Sequence, residues 1–163
     1  TLFPSLTPLL SVVLAISERE GLGATSWRPL KGCTAVFDEA HALLGTLKLD
    51  SLADVPVSEL AYGKQRLLEI ALALAAKPRI LLLDEPAAGV PEDESGELFE
   101  AIAALPDDIS VLFIEHDMKL VFRFSRRISV LVGGRILTEG TPAEIGADPR
   151  VREVYLGSSH RHV

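Results

Sequence analysis

The sequence predicts an α/β protein in which a mainly helical first part precedes strands that alternate with helices. Two observations support this prediction. In the first 60 residues, apolar side chains recur at the spacing of amphipathic helices. After Pro78, short continuous apolar runs at 80–83 and 110–114 are separated by a helical segment. Strands of this kind, joined through helices, are typical of a parallel sheet.

The first part contains two predicted helices. Thr7 offers a capping hydroxyl and Pro8 suits the first helical position, so the first helix begins there. Glycines and prolines then predict a loop over 21–32. Apolar residues at helical spacing predict a second helix over 34–47, followed by a connector at 50–59.

The second part begins with a predicted helix over 63–77, which is apolar nearly all round and is therefore expected to be buried. The continuous apolar strand at 80–83 is expected to be covered on both faces. A helix over 91–105 then leads to a second buried strand at 110–114.

Short elements complete the chain. Asp117 is expected to cap a short helix. Two apolar segments joined by Gly133-Gly134 predict a β-hairpin. The hairpin strands and the two helices expected after them lie at 127–132, 135–139, 142–145 and 149–156.

The composition excludes several classes of protein. A net charge of −7 over 163 residues argues against a nucleic-acid binder, which needs a basic surface. The single cysteine, Cys33, excludes an internal disulfide and suits a reducing compartment. The longest apolar runs are shorter than a membrane span requires.

Acidic residues follow the first apolar strand. Asp84 and Glu85 stand where open α/β sheets place their ligand crevices. An aspartate there can hold Mg²⁺ through its water shell, and a glutamate can polarise water for attack on a γ-phosphate. His116 ends the next strand in the same way, so we expect it beside Glu85 if the strands are neighbours. A solvated strand end and a structural histidine are the alternatives.

The start of the third helix is a candidate anion site. Free backbone N–H groups and the positive end of the helix dipole favour anions there. Gly63 would let a phosphate approach without a Cβ in the way. A glycine near a helix start is common, so this feature alone is weak.

Four motifs occur along the chain, and in this order they resemble the ABC ATPase family. Residues 60–65 are similar to the LSGGQ signature, 80–85 to Walker B with its catalytic glutamate, 88–91 to the D-loop, and His116 to the switch histidine. The segments that carry the resemblance are Leu60-Ala61-Tyr62-Gly63-Lys64-Gln65-Arg66, Ile80 to Pro86, Ala87-Ala88-Gly89-Val90 and Ile114-Glu115-His116-Asp117.

Within the family, the chain looks like the branched-chain amino acid transporter ATPases. The similar segments are Ala61 to Gln65, Glu85 to Gly89 and Val151 to Gly157, and Leu2 to Thr7 looks like the segment after the family's Q-loop.

The resemblance implies a P-loop NTPase core with an α-helical subdomain, and ATP and Mg²⁺ as cofactors of an intact subunit. Glu85 and His116 would be catalytic, and Asp84 would hold Mg²⁺ through water. The residues expected to contact nucleotide across a subunit pair are Ala61, Tyr62, Gly63, Lys64, Gln65, Gly89 and Pro91. The implied domains are a helical subdomain at 1–60, a partial α/β core at 61–140 and a helical tail at 141–163.

The sequence also departs from the family pattern. It contains no Gly-x-x-x-x-Gly-Lys-Ser/Thr P-loop. Ala61 replaces the signature serine, and Pro91 replaces the usual acid or amide of the D-loop. We therefore expect this chain to be the carboxy-terminal two-thirds of such a subunit, to bind no ATP alone, and to self-associate through uncovered strands.

Two readings follow. The first is the motor subunit of an importer at the cytoplasmic face of the inner membrane, for branched-chain or related amino acids. It would act with transmembrane permease subunits and a second ATPase subunit, and without nucleic acid. The second is a non-catalytic interaction or dimerisation module of an ABC assembly. A chromosome-associated ABC ATPase is disfavoured, because no heptad run or cysteine cluster occurs.

Overall fold

The computed structural model describes residues 2–22 and 34–156. Most of the predicted loop at 21–32 lies outside the described residues, as do Trp27 and Cys33. The chain divides into two compact units, Thr1–Glu115 and His116–Val163. The first unit contains both the early helices and the first two strands. The predicted domain boundaries at residues 60 and 140 remain a prediction.

Two helices open the first unit, as predicted. Helix α1 spans Pro8–Arg19, and the Thr7 hydroxyl accepts a hydrogen bond from the Leu10 amide at 3.3 Å. Helix α2 spans Thr34–Thr46 and packs against α1. Their apolar faces form the beginning of the hydrophobic core, with Val12, Val13, Ile16, Ala40 and Leu44 buried.

Helix α3 spans Tyr62–Leu74 and is the central helix of this unit. Two short 3-10 turns, Asp50–Leu52 and Val57–Glu59, form the predicted connector before it. α3 contacts α1, α2 and α4. It is less completely buried than predicted, because Tyr62 and Ala73 are exposed. It also ends before Lys77, whose φ of 52° is left-handed.

A two-stranded parallel sheet follows. Strand β1 spans Ile80–Asp84, strand β2 spans Ser110–Ile114, and the register pairs Leu82 with Leu112. Helix α4, Glu92–Ala103, connects them. It lies against one face of the sheet, where the Phe99 ring meets the Phe113 ring at 5.1 Å between centroids.

The prediction that both strands are covered on both faces is wrong. Ile80 and Leu82 are 63% and 68% exposed, and Leu112 and Ile114 are 60% and 61% exposed. Alternate strand residues point to opposite faces, and among the described residues only the face toward the helices is packed. These exposed side chains agree with the separate expectation that the strands are uncovered.

The second unit begins with helix α5, Met118–Phe124, capped as predicted by Asp117. Strands β3, Ile128–Val132, and β4, Arg135–Gly140, form the predicted antiparallel hairpin. Gly133 and Gly134 have φ of 56° and 75°, which is the left-handed pair that a two-residue hairpin turn requires.

Two short helices end the described chain. They are α6, Pro142–Ala147, and α7, Pro149–Leu156, and both lie where the sequence predicts them. Thr141 and Glu144 form a capping box at the start of α6. None of the described helices has the length and apolar character of a membrane span.

Candidate functional site

Asp84 and Glu85 lie at the carboxyl end of β1. Asp84 is the last residue of the strand, and both residues are exposed. Glu85 has a left-handed φ of 44°, which is uncommon for a residue with a Cβ. Its amide donates to the Ile114 carbonyl at 2.9 Å. The acidic pair therefore stands at the sheet edge that the sequence predicted, with the second acid in a strained backbone conformation.

The turn that follows β1 covers residues 85–90 and is held by hydrogen bonds at regular intervals. The Ala88 amide donates to the Glu85 carbonyl at 2.9 Å, and the Val90 amide donates to the Ala87 carbonyl at 3.0 Å. The Ala87 amide donates to a carboxylate oxygen of Glu115 at 3.0 Å. The Glu115 side chain therefore connects the end of β2 to this turn.

The start of α3 packs closely against α4. Ala61 occupies the N-cap position and makes no side-chain cap. The Gly63 amide donates to a Glu94 carboxylate oxygen at 3.0 Å. A Cβ on Gly63 would lie 2.5 Å from that oxygen and 3.4 Å from a Val90 methyl. A carboxylate therefore already uses the amide at which the sequence predicts an anion.

Tyr62 brings the start of α3 next to the turn after β1. A Cβ on Gly89 would lie 3.3 Å from the Tyr62 ring, and Gly89 has a left-handed φ of 76°. The Arg66 guanidinium donates to the Tyr62 hydroxyl at 2.7 Å. Two segments that are 27 positions apart in sequence (62 and 89) thus meet in the first unit.

The remaining predicted residues of this helix are engaged within the unit. The Lys64 ammonium pairs with Glu97 at 2.8 Å and holds the pKa of Glu97 below its usual range. The Gln65 amide side chain donates to the Leu60 carbonyl at 2.9 Å. A cavity of about 10 Å³ beside Gly63 has room for about one water molecule.

The structure brings together only part of the predicted set. Tyr62 and Gly89 are adjacent, and Pro91 is the exposed N-cap of α4. His116 is the first residue of the second unit and is exposed. Its expected position beside Glu85 remains a prediction.

Sequence reasoning missed two acidic residues. Glu94 bonds the Gly63 amide, and Glu115 bonds the Ala87 amide. Glu115 stands in the segment that carries the resemblance, and Glu94 belongs to an acidic run that begins α4. Nothing in their spacing indicates which amide each would reach, because both contacts join segments about 30 residues apart.

The acidic pair offers carboxylate oxygens, which are ligands that Mg²⁺ prefers. The described residues contain no group of three or more histidine, cysteine, aspartate or glutamate side chains that could form a metal cage. Mg²⁺ in nucleotide sites is commonly held by one or two carboxylates together with water and phosphate oxygens. Asp84, at the strand end, fits that donor set.

A comparison with models of protein families identifies the family to which the chain belongs. The family model described as ABC transporter matches residues 2–88, which is more than half of the chain. The chain belongs to the ABC transporter family. A second model, described as branched-chain amino acid ATP-binding cassette transporter, matches residues 135–161.

Individual proteins agree with this assignment. The high-affinity branched-chain amino acid transport ATP-binding protein LivG of Salmonella typhimurium is 47% identical over 125 residues, which cover 76% of this chain and 49% of LivG. The chain therefore spans about half the length of that relative.

Solved structures share the fold. An ATP-binding cassette of an ABC transporter in its ADP conformation matches 94% of this chain and 64% of its own, with a TM-score of 0.73 and 30% identity. A dimeric bacterial ABC transporter cassette matches 87% of this chain and 59% of its own, with a TM-score of 0.64 and 25% identity. These neighbours confirm the predicted ABC ATPase fold class.

Proposed function

We propose that this chain contributes two parts of an ATP-hydrolysing ABC importer subunit. Asp84 and Glu85 belong to the part that activates the attacking water, and the start of α3 belongs to the part that contacts ATP held by a second subunit. The observation that carries the proposal is the position of Asp84 and Glu85 at the carboxyl end of a parallel strand, directly before a turn that contacts the start of α3. LivG supports branched-chain or related amino acids as the imported substrates, because its name assigns it that transport.

Glu85 is the general base in this proposal. Its carboxylate accepts a proton from the water that attacks the γ-phosphate, and Asp84 would hold Mg²⁺ through that ion's water shell. Mg²⁺, when bound, neutralises charge on the phosphates. His116 contacts the γ-phosphate and reports its presence. The exposure of Asp84, Glu85 and His116 is compatible with access by a nucleotide held from outside this chain.

The start of α3 contacts ATP that a second subunit holds. In this contact the Gly63 amide exchanges the Glu94 carboxylate for a phosphate oxygen. Ala61 supplies only backbone, so the contact lacks the hydroxyl of the usual signature serine. Tyr62, Lys64 and Gln65 frame this contact, and Gly89 and Pro91 face the second subunit. The dimeric cassette among the solved structures supports a paired arrangement.

The partners in this proposal are transmembrane permease subunits and a second ATPase subunit. Residues 1–60 form the helical subdomain that contacts the permease, and the protein acts at the cytoplasmic face of the inner membrane. This arrangement is inferred from membership of the ABC transporter family.

The test is steady-state hydrolysis of ATP with Mg²⁺ by the full-length protein that carries this sequence. Glu85→Gln is expected to lower kcat by at least about a hundredfold, since general base catalysis contributes about 10²–10⁴ in rate. Glu153→Gln, at an exposed position on α7, is the control and is expected to keep the wild-type rate. An unchanged rate in Glu85→Gln overturns the assigned role.

The isolated 163-residue chain gives a second measurement. It is expected to release no phosphate, because its sequence contains no P-loop to hold the triphosphate. Steady turnover that Glu85→Gln abolishes would show that the chain needs no such loop.

A non-catalytic interaction module is the second candidate function. One observation favours it: the 163-residue sequence contains no P-loop, so the chain would not hold a nucleotide of its own. In this case the chain pairs with another ATPase subunit and contacts that subunit's nucleotide. If the ATPase activity of that partner rises when wild-type chain is added, and rises equally when Glu85→Gln chain is added, the chain has this role.

A further inference from the structure

Glu115 lies directly after β2 and is half-buried. One of its carboxylate oxygens accepts a hydrogen bond from the Ala87 amide at 3.0 Å. Ala87 lies in the turn over 85–90. The Glu115 side chain therefore supplies an acceptor for a turn amide from a neighbouring strand end.

The same strand end holds the turn at a second point. The Glu85 amide donates to the Ile114 carbonyl at 2.9 Å. Two consecutive residues of one segment, Ile114 and Glu115, thus hold Glu85 and Ala87. Between these anchors lies the left-handed φ of 44° at Glu85. A non-glycine residue keeps such a conformation only where its surroundings enforce it.

We propose that Glu115 is a positioning residue for hydrolysis: its carboxylate fixes the turn over 85–90 and so keeps Glu85 aligned with the attacking water. This inference rests on the proposed function of Glu85. Glu115 acts through Ala87 and does not itself contact the substrate.

The kinetic test uses the full-length protein with Glu115→Ala, Glu115→Asp and Glu115→Gln. Loss of the anchor is expected to lower kcat about tenfold to a hundredfold with KM within about twofold, because small misplacements of a catalytic group cost rates of that order. Glu115→Asp keeps the charge but is one methylene too short. Glu115→Gln keeps an acceptor at the same reach and is expected to retain kcat within about threefold. Glu153→Ala, on α7, is the control.

Amide hydrogen exchange supplies a readout that does not depend on ATP. In the Ala and Asp variants, exchange at Ala87 is expected to accelerate by about tenfold or more, while Glu115→Gln stays near wild type. Melting temperatures are measured for every variant, and the Gln and Asp variants remain informative if Glu115→Ala does not fold.

The kinetic and exchange results together separate three claims: the anchor at Ala87, the positioning role of Glu115 and the proposed function. Unchanged exchange at Ala87 in the Asp variant overturns the anchor. Faster exchange with unchanged kcat overturns the positioning role and leaves the proposed function standing. If the wild-type protein hydrolyses no ATP, or if Glu85→Gln leaves the hydrolysis rate unchanged, the proposed function is overturned and this inference with it.

Discussion

Gly63 shows how tightly the start of α3 approaches α4. A Cβ there would stand 2.5 Å from the carboxylate of Glu94, 3.2 Å from its Cβ and 3.4 Å from a methyl of Val90. The first of these contacts can be relieved by rotation of a flexible side chain, but the hydrogen bond from the Gly63 amide would then be lost. The glycine thus permits a contact between two helices that start at the candidate site.

We expect Gly63→Ala to lower the free energy of unfolding by about 1–2 kcal/mol, because overpacking forces a neighbouring side chain to move. Gly96→Ala is the matched control on α4, since a Cβ there meets nothing within 4 Å. Alanine at that helical position is expected to be neutral or to stabilise by up to about 1 kcal/mol. Urea unfolding of the isolated chain measures both changes; equal effects at the two glycines would contradict this account.

The sequence was sufficient to predict individual residues where the chemistry is local. Thr7 and Asp117 cap helices as expected, since a cap needs only its own next turn. The contacts of Glu94 and Glu115 could not be predicted, because each depends on how separate elements pack. The strained φ of Glu85 is likewise set by its surroundings and leaves no mark in the sequence.

At the scale of elements, one ion-pair cluster joins three helices of the first unit. The Arg19 guanidinium on α1 donates to both carboxylate oxygens of Glu39 on α2 at 2.8 Å. It also donates to the Ala75 carbonyl at the end of α3 at 2.6 Å. Lys77 approaches Glu39 at 3.1 Å. The cluster therefore ties the early helices to the end of the helix whose start lies at the candidate site.

This cluster predicts a loss of stability in acid. The hydrogen bond from Arg19 lowers the pKa of Glu39 from 4.5 to about 2, against a smaller opposing effect of burial. Because the pKa is lower in the folded state, the contribution is present above the unfolded pKa and disappears as the pH falls toward 2. The Glu39 side chain is 35% exposed, so solvent screening reduces the contribution to about 1 kcal/mol.

Glu39→Gln should therefore be less stable than wild type at pH 6, and the difference should shrink between about pH 5 and pH 2. Chemical unfolding at several pH values measures it. Asp38→Asn removes an exposed carboxylate from the same helix and is the control. A difference between Glu39→Gln and wild type that stays constant down to pH 2 would show that Arg19 does not stabilise the ionised carboxylate.

Elements differ in how well the sequence predicts them. The helices, the hairpin and both parallel strands form where periodicity and turn residues place them. The burial of β1 and β2 was predicted wrongly, because a continuous apolar run looks the same whether one face or both are covered. Coverage depends on which other elements pack on the sheet, and α4 packs on one face of it through Phe99 against Phe113.

At the scale of the whole molecule, the described residues include an exposed apolar face of the parallel sheet. Ile80, Leu82, Leu112 and Ile114 project from the same face of β1 and β2, each at least 60% exposed. β1 and β2 pair only with each other among the described strands. Contiguous apolar surface of this kind, beside unpaired strand edges, favours association.

We expect the isolated chain to self-associate at micromolar concentration, because a second copy can cover this face and pair with a free strand edge. Replacing the registered pair Leu82 and Leu112 by threonine keeps β propensity and removes apolar surface, so Leu82→Thr with Leu112→Thr should shift the chain toward monomer. Leu14→Gln, at a position on α1 that is 49% exposed, is the control and should leave the association unchanged. Light scattering coupled to size exclusion measures the mass. A sharp wild-type monomer peak would contradict association, and equal effects of the two changes would place the contact elsewhere than on the sheet.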